Sequence, residues 1–360
     1  MSFRVPYQTL FSWLHEHDVR YVVLRDIDKL DNMQQLKDLD LLIEDQALPA
    51  MFEQFGRSKS GLKVDVYGVN GEHGTDYHGH AHLPAEFGTE ILLARQRQQD
   101  IYVPTPAHER DALLYHIAYH KCLQSGIHHD DASRTADNPA VTRIKTLMHE
   151  TSSKLELTLG AIDEHLNRRG LGVSESRLVA YLQHDFRYGR KSYFHALIQN
   201  RHPGELNLFV IRAVAVRQGK ADALLDKLAS HYTIMSHKPI PLLTRWRTRK
   251  HMRGGKWKRG GLPHVVVVVF DPHPVVPSAK ERELHPFVLN RNQFVKVEWR
   301  AWFARTTGVR DKDNPIHSTD NEAEALGHLP LFFDAEEIHT LRSQLTDLRR
   351  QCGGRASCAD

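Results

Sequence analysis

The chain has 360 residues, 41% hydrophobic and 26% charged, the proportions of a globular protein long enough for two or three domains. No apolar run approaches the roughly 20 residues of a membrane span, and neither a basic-then-apolar leader nor a disulfide framework can be built from this N-terminus and three cysteines, so a cytoplasmic location is expected. The net charge is only +4, but residues 245–259 hold eight Lys or Arg and no acid, a block that suits phosphate, nucleic acid, an anionic membrane surface or a solvated linker.

Residues 7–17 carry apolar groups at helical spacing, and residues 21–24 read as a buried strand. A polar, turn-like stretch over 26–35 leads to a strand beginning near Asp38. Residues 47–55 read as a helix, 62–67 as a strand and 101–104 as a short edge strand, so a mixed α/β domain is expected over 1–105. From residue 106 the period becomes 3.6: segments 107–122, 140–149, 157–168, 174–183, 191–198 and 205–231 all read as helical. A helical domain is therefore expected over 106–238, then a basic, Gly-rich linker over 239–262. The β-branched run 265–270 reads as a central strand opening a second α/β domain over 263–350, and residues 351–360 as a disordered tail.

The chemistry concentrates first at Asp38-Leu39-Asp40. Alternate residues of a strand face the same way, so Asp38 and Asp40 converge, and two converging carboxylates call for a cation, Mg²⁺ by preference. Asp65, inside the next strand pattern, can complete a cage for metal-assisted phosphoryl or nucleotidyl transfer; solvent-facing acids at strand ends are the plainer reading. His116 and His120 are four apart on a helix and, with Lys121, can contact phosphate or simply pack. His73, His78, His80 and His82 cluster in one loop and could hold Zn²⁺, although a chain with 25 histidines clusters some by chance. The pattern His128-His129-Asp130-Asp131 is a weaker signal of the same kind.

The stretch Arg253-Gly254-Gly255-Lys256-Trp257 combines cations, flexible backbone and a stacking ring, as an anion-binding loop does and a flexible linker also does. Further on, His317 precedes Thr319 and Glu322, a capping-box spacing that predicts a helix over 321–329 with its positive end beside the imidazole.

The Asp38, Asp40 and Asp65 pattern, with its strand–helix order, resembles the nucleotidyltransferase superfamily of the DNA polymerase β type over residues 5–122. That resemblance implies a mixed-sheet domain in which the three carboxylates bind Mg²⁺, a nucleoside triphosphate such as ATP is held, and Asp65 acts as base toward an acceptor hydroxyl. The family's Gly-Ser step is missing here; Arg25 stands in that region and, with Lys37, is the candidate phosphate contact.

Residues 299–338 are similar to the C-terminal part of nucleoside-diphosphate kinases, whose signature Asn314, His317 and Asp320 match. This likeness implies an α/β ferredoxin-like fold, with His317 as the phosphate-carrying nucleophile, Asn314 as a nucleotide contact and Glu324 as an orienting acid. Lys296, Arg300 and Arg305 are the cations available to neutralise phosphate.

Together these readings lead to an α/β multidomain transferase of nucleotidyl or phosphoryl groups. Its expected partners are a nucleotide and a small-molecule or glycan hydroxyl, with nucleic acid less favoured and polysaccharide metabolism the expected context. The alternatives are a phosphotransferase acting only through His317, and a non-catalytic nucleotide or RNA sensor.

Overall fold

The alternating apolar residues of Asp38–Ile43 and Leu62–Gly68 build two strands that pair in parallel, joined by a crossover containing a helix. The computed structural model describes residues 1–184, 193–252, 257–309 and 313–356, and the chain divides into a unit of residues 1–174 and a unit of residues 175–360.

The first unit runs β1 (Ser2–Val5), α1 (Tyr7–Glu16), β2 (Tyr21–Val23), β3 (Asp38–Ile43), α2 (Leu48–Phe55), β4 (Leu62–Gly68), α3 (Ala85–Leu93), β5 (Gln96–Gln98), β6 (Ile101–Val103), α4 (Pro106–Tyr115), α5 (Pro139–Glu150) and α6 (Leu159–Arg168). Its main sheet has the order β1-β4-β3-β2, with β3 and β4 parallel and both outer pairs antiparallel. Leu39, Leu41 and Ile43 of β3 and Val64 and Val66 of β4 enter one core with Leu10 and Leu14 of α1 and Met51 and Phe55 of α2. The two-residue period then obliges Asp38, Asp40, Asp65 and Tyr67 to share the opposite face. Residues 101–103 form a short strand as expected, paired with β5 in a separate two-stranded hairpin.

Thr105 and Asn138 cap α4 and α5, each followed by a proline at the first helical position, where its missing N–H costs nothing. The helix expected over 107–122 does not run through as one α-helix. It passes at His116–Lys121 into a π-helical turn, closed at Cys122 by a positive φ of 49°.

The second unit contains α7 (Glu175–His184), α8 (Phe194–Asn200), β7 (Glu205–Arg212), α9 (Ala213–Arg217), α10 (Ala221–Ala229), β8 (Thr233–Pro239), α11 (Leu242–His251), β9 (Pro263–Asp271), α12 (Ala279–Leu284), α13 (Val295–Thr307), β10 (Ile316–Ser318), α14 (Glu322–Phe332) and α15 (Ala335–Ala356). Its sheet, β10-β7-β9-β8, is antiparallel throughout. Here the sequence reading is corrected. Residues 205–212 form a strand, not a helix; all eight are buried, and a strand covered on both faces carries an unbroken apolar run that a helical template also fits. Strands from 205–239 thus join β9 and β10 in one sheet, and α11 lies inside the stretch read as a linker. Likewise α15 continues through Ala356 into the segment read as a tail. No described helix is long and apolar enough to cross a membrane.

The cap of α14 also differs from expectation. Asn321, not Thr319, is the N-cap: its Oδ1 accepts from the Glu324 backbone N–H at 3.0 Å, while the Thr319 hydroxyl accepts from Leu208 N–H at 3.1 Å. Asn321→Ala should therefore cost about 1 kcal/mol or more, since the same side chain also donates from Nδ2 to the Phe287 carbonyl at 3.0 Å; the loss is read as a lowered melting temperature in calorimetry of the full chain, with Asn321→Ser restoring only the cap.

Candidate active site

The parallel register sets Asp40 directly opposite Asp65 and Asp38 opposite Lys63, so three carboxylates and one ammonium stand together on the face away from the core. Lys63 Nζ lies 2.7 Å from Asp65 Oδ2 and 3.9 Å from Asp38 Oδ2. Asp38 and Lys63 are half-exposed; Asp40 is only 8% exposed. Its neutralising partner is Arg25, just beyond β2. The guanidinium donates from Nε to Asp40 Oδ2 at 2.7 Å and also pairs with Oδ1, and the Tyr67 hydroxyl donates to Oδ1 at 2.9 Å. Burial alone would push the Arg25 pKa down; the Asp40 charge overrides it and pushes it up. The Tyr67 hydroxyl is pushed up by burial and then by the Asp40 charge, so it is a neutral donor.

Arg25 reaches further. It meets Tyr67 Oη at 3.2 Å, and its Nη1 lies 2.7 Å from His116 Nδ1, which in turn is 3.2 Å from His120 Nδ1. The π turn brings these two imidazoles onto one side while Lys121 points outward, exposed. His82 closes the group. The loop before α3 folds back through a tight turn in which Tyr77 and His80 exchange backbone hydrogen bonds, and it lays the His82 ring on Tyr67, with centroids 3.8 Å apart. Burial first, then the charge of Arg25 among its neighbours, holds all three imidazoles well below the usual histidine range, so they are neutral at pH 7. His73, His78 and His80 do not belong to this group; His82 joins His116 and His120 instead. Lys37 is exposed just ahead of β3.

The second unit gathers a different set. His317 lies on β10 opposite Val210 of β7, and its ring is 6.5 Å from that of Trp257. Trp257 carries the Arg212 guanidinium 4.7 Å from its ring centre. Arg212 is almost fully buried and donates to the Gly261 carbonyl at 3.0 Å; burial, then Arg300, lowers its pKa to about 10. Arg300 donates to the Ile316 carbonyl at 3.0 Å, and Lys296 donates to Ser318 Oγ at 2.7 Å. Asn314 Oδ1 accepts from Ile316 N–H, and a Cβ on Gly260, whose φ is +106°, would sit 2.0 Å from the Asn314 carbonyl. Glycine at 260 is thus what lets residues 257–261 lie against the approach to β10. Glu324 accepts from the Asp320 backbone N–H at 2.7 Å. Arg305 is exposed, and Arg253 and Lys256 lie outside the described residues.

Sequence reasoning missed Tyr67 and Arg212, and named His82 only as one of four histidines in its loop. Tyr67 had a legible signal, since it is two residues after Asp65 and must share its face. Arg212 had none while residues 205–212 were read as helical.

No family model matches this chain, and no curated protein matches it. Among solved structures it is similar to the nucleoside diphosphate kinase of Aquifex aeolicus at 15% identity, over 38% of this chain and 99% of that one, with a TM-score of 0.25. A likeness that slight carries no argument; the described residues form a mixed α/β protein whose two four-stranded sheets are one mixed and one antiparallel.

Proposed function

We propose that the chain is a Mg²⁺-dependent transferase of nucleotidyl or phosphoryl groups, taking ATP or another nucleoside triphosphate and serving a hydroxyl of a small molecule or glycan. The observation that carries this reading is the pairing of Asp40 with Asp65 across parallel strands, with Asp38 on the same face. Hard carboxylate oxygens, two of the three acids partly exposed, are the donors Mg²⁺ prefers. When bound there, the ion would neutralise polyphosphate and make the acceptor hydroxyl more acidic. Asp38 and Asp40 are the ligands, and Asp65 is the shared ligand and base. Arg25, now the counter-ion of Asp40, would contribute its guanidinium to a bound phosphate.

Two other readings each have an observation behind them. Both Asp40 oxygens already accept from Arg25 and Tyr67, which favours a non-catalytic nucleotide or RNA binder. The buried Arg212 and Lys296, with the half-buried Arg300, near β10 favour phosphate handling by His317 alone, as in a phosphohistidine transferase. Incubation with ATP labelled on either phosphate separates them. Label from the α-phosphate reaching an acceptor, abolished by Asp65→Asn, supports the acid site. Label from the γ-phosphate on the protein, abolished by His317→Ala, supports the histidine. Neither label, with nucleotide still bound, supports the binder.

A further inference from the structure

We infer that His82, His116 and His120 form a binding site for one divalent transition-metal ion, zinc in the first instance, separate from the carboxylate set. One ring nitrogen from each of the three lies within 4.8 Å of the other two. Three ligands around a tetrahedral ion with Zn–N of about 2.0–2.1 Å sit about 3.3–3.4 Å apart, and His116 Nδ1 and His120 Nδ1 are already 3.2 Å from each other. His82 rides on a loop rather than on a helix or strand, so it is the member of the group best able to adjust.

A second observation points the same way. His82 is 3% exposed, and its Nδ1 has no hydrogen-bond partner among the described residues. A buried imidazole nitrogen left unmatched is costly, and a metal ion is one group that would match it. Nitrogen donors select zinc and its neighbours, whereas the oxygen donors of Asp38, Asp40 and Asp65 select magnesium, so the two sets should not compete for one ion.

The opposing charge is Arg25, whose Nη1 contacts His116 Nδ1. An ion on that nitrogen and this hydrogen bond exclude each other, but Arg25 keeps Asp40 through Nε and a fixed negative charge stays beside it. The i, i+4 spacing lies on the π turn, and such turns recur at functional sites.

The test uses the full chain, stripped with a chelator and titrated with Zn²⁺ against a chromophoric competitor, with Mg²⁺ as control. The expected result is one tight Zn²⁺ equivalent unaffected by excess Mg²⁺, weakened at least about tenfold by His82→Gln or His120→Gln and unchanged by the double substitution His128→Gln, His129→Gln. Absence of a tight equivalent, or its survival in folded His82→Gln and His120→Gln proteins, overturns the site. Should those variants fail to fold, X-ray absorption at the zinc edge of the unsubstituted protein decides. Three imidazole nitrogens support the assignment, and a shell with fewer than three refutes it. None of these outcomes depends on whether phosphate is transferred.

Discussion

Asp40→Asn is expected to destabilise the first unit by about 3 kcal/mol or more, because it strips the carboxylate from a buried guanidinium, whereas Asp65→Asn should cost less than about 1 kcal/mol. The difference comes from burial. Arg25 and Asp40 are both largely withdrawn from solvent, share two contacts and are tied by Tyr67 into one network, so losing one charge leaves the other unpaired in a poor solvent. Lys63, the partner of Asp65, is half-exposed, so its ammonium can be rehydrated. Hydrogen exchange at the amides of β3 and β4 reads the two costs locally, without requiring either unit to be studied alone. The pair of variants also separates structure from chemistry. Under the proposed function both lose nucleotidyl transfer, but only Asp65→Asn does so with near-normal protection. A well-protected Asp65→Asn protein that still labels an acceptor would rule out the three-acid site.

How far the sequence could be read depended on what each segment packs against. Around Asp38, Asp40 and Asp65 the strand period was visible because one face is apolar core and the other polar, and a period of two then fixes which residues meet. The partner cations were harder. Arg25 stands out only as a residue near the missing Gly-Ser step, and nothing in its neighbourhood shows that it would close on Asp40 rather than face a ligand. For His82, the sequence offered four histidines in one loop and no reason to choose among them. The choice is made by the turn at 77–80 and by the Tyr67 ring, which the fold brings beneath that loop. In the second unit the failure was one of period. Leu206, Leu208, Phe209, Val210 and Ile211 are all buried, so polarity carries no alternation there, and the strand was absorbed into a helical stretch. That single misreading hid Arg212 and the antiparallel partner of the well-read run 265–270.

The same strand supplies the largest expected pH effect. Glu205 begins β7, opposite Asp271, with no exposed surface. Its Oε1 accepts from Gln293 Nε2 at 3.3 Å, and its Oε2 has no hydrogen-bond partner among the described residues. Burial is the main cause that raises its pKa, from 4.5 to about 8, against the smaller opposing pull of neighbouring amides. The folded protein thus holds this proton at pH 7 while the unfolded chain has released it. The linked stabilisation is complete below pH 4.5, is lost as pH rises toward 8, and is gone above that. Glu205→Gln keeps the shape and removes the titration. The variant should match the wild type near pH 4.5 and exceed it by roughly 2–4 kcal/mol at pH 8, since a tenfold difference in proton affinity between the folded and unfolded chain is worth about 1.4 kcal/mol and relaxation removes part of it. Denaturant unfolding followed by fluorescence suits the measurement, because four of the five tryptophans (Trp246, Trp257, Trp299 and Trp302) lie in the second unit. Equal gains at pH 5 and pH 8 would mean that Gln merely packs better, and that Glu205 is ionised in the fold. A gain confined to high pH ties it to the buried proton, and with it the polar cluster of Asn207, Gln293 and Thr319 that flanks β7.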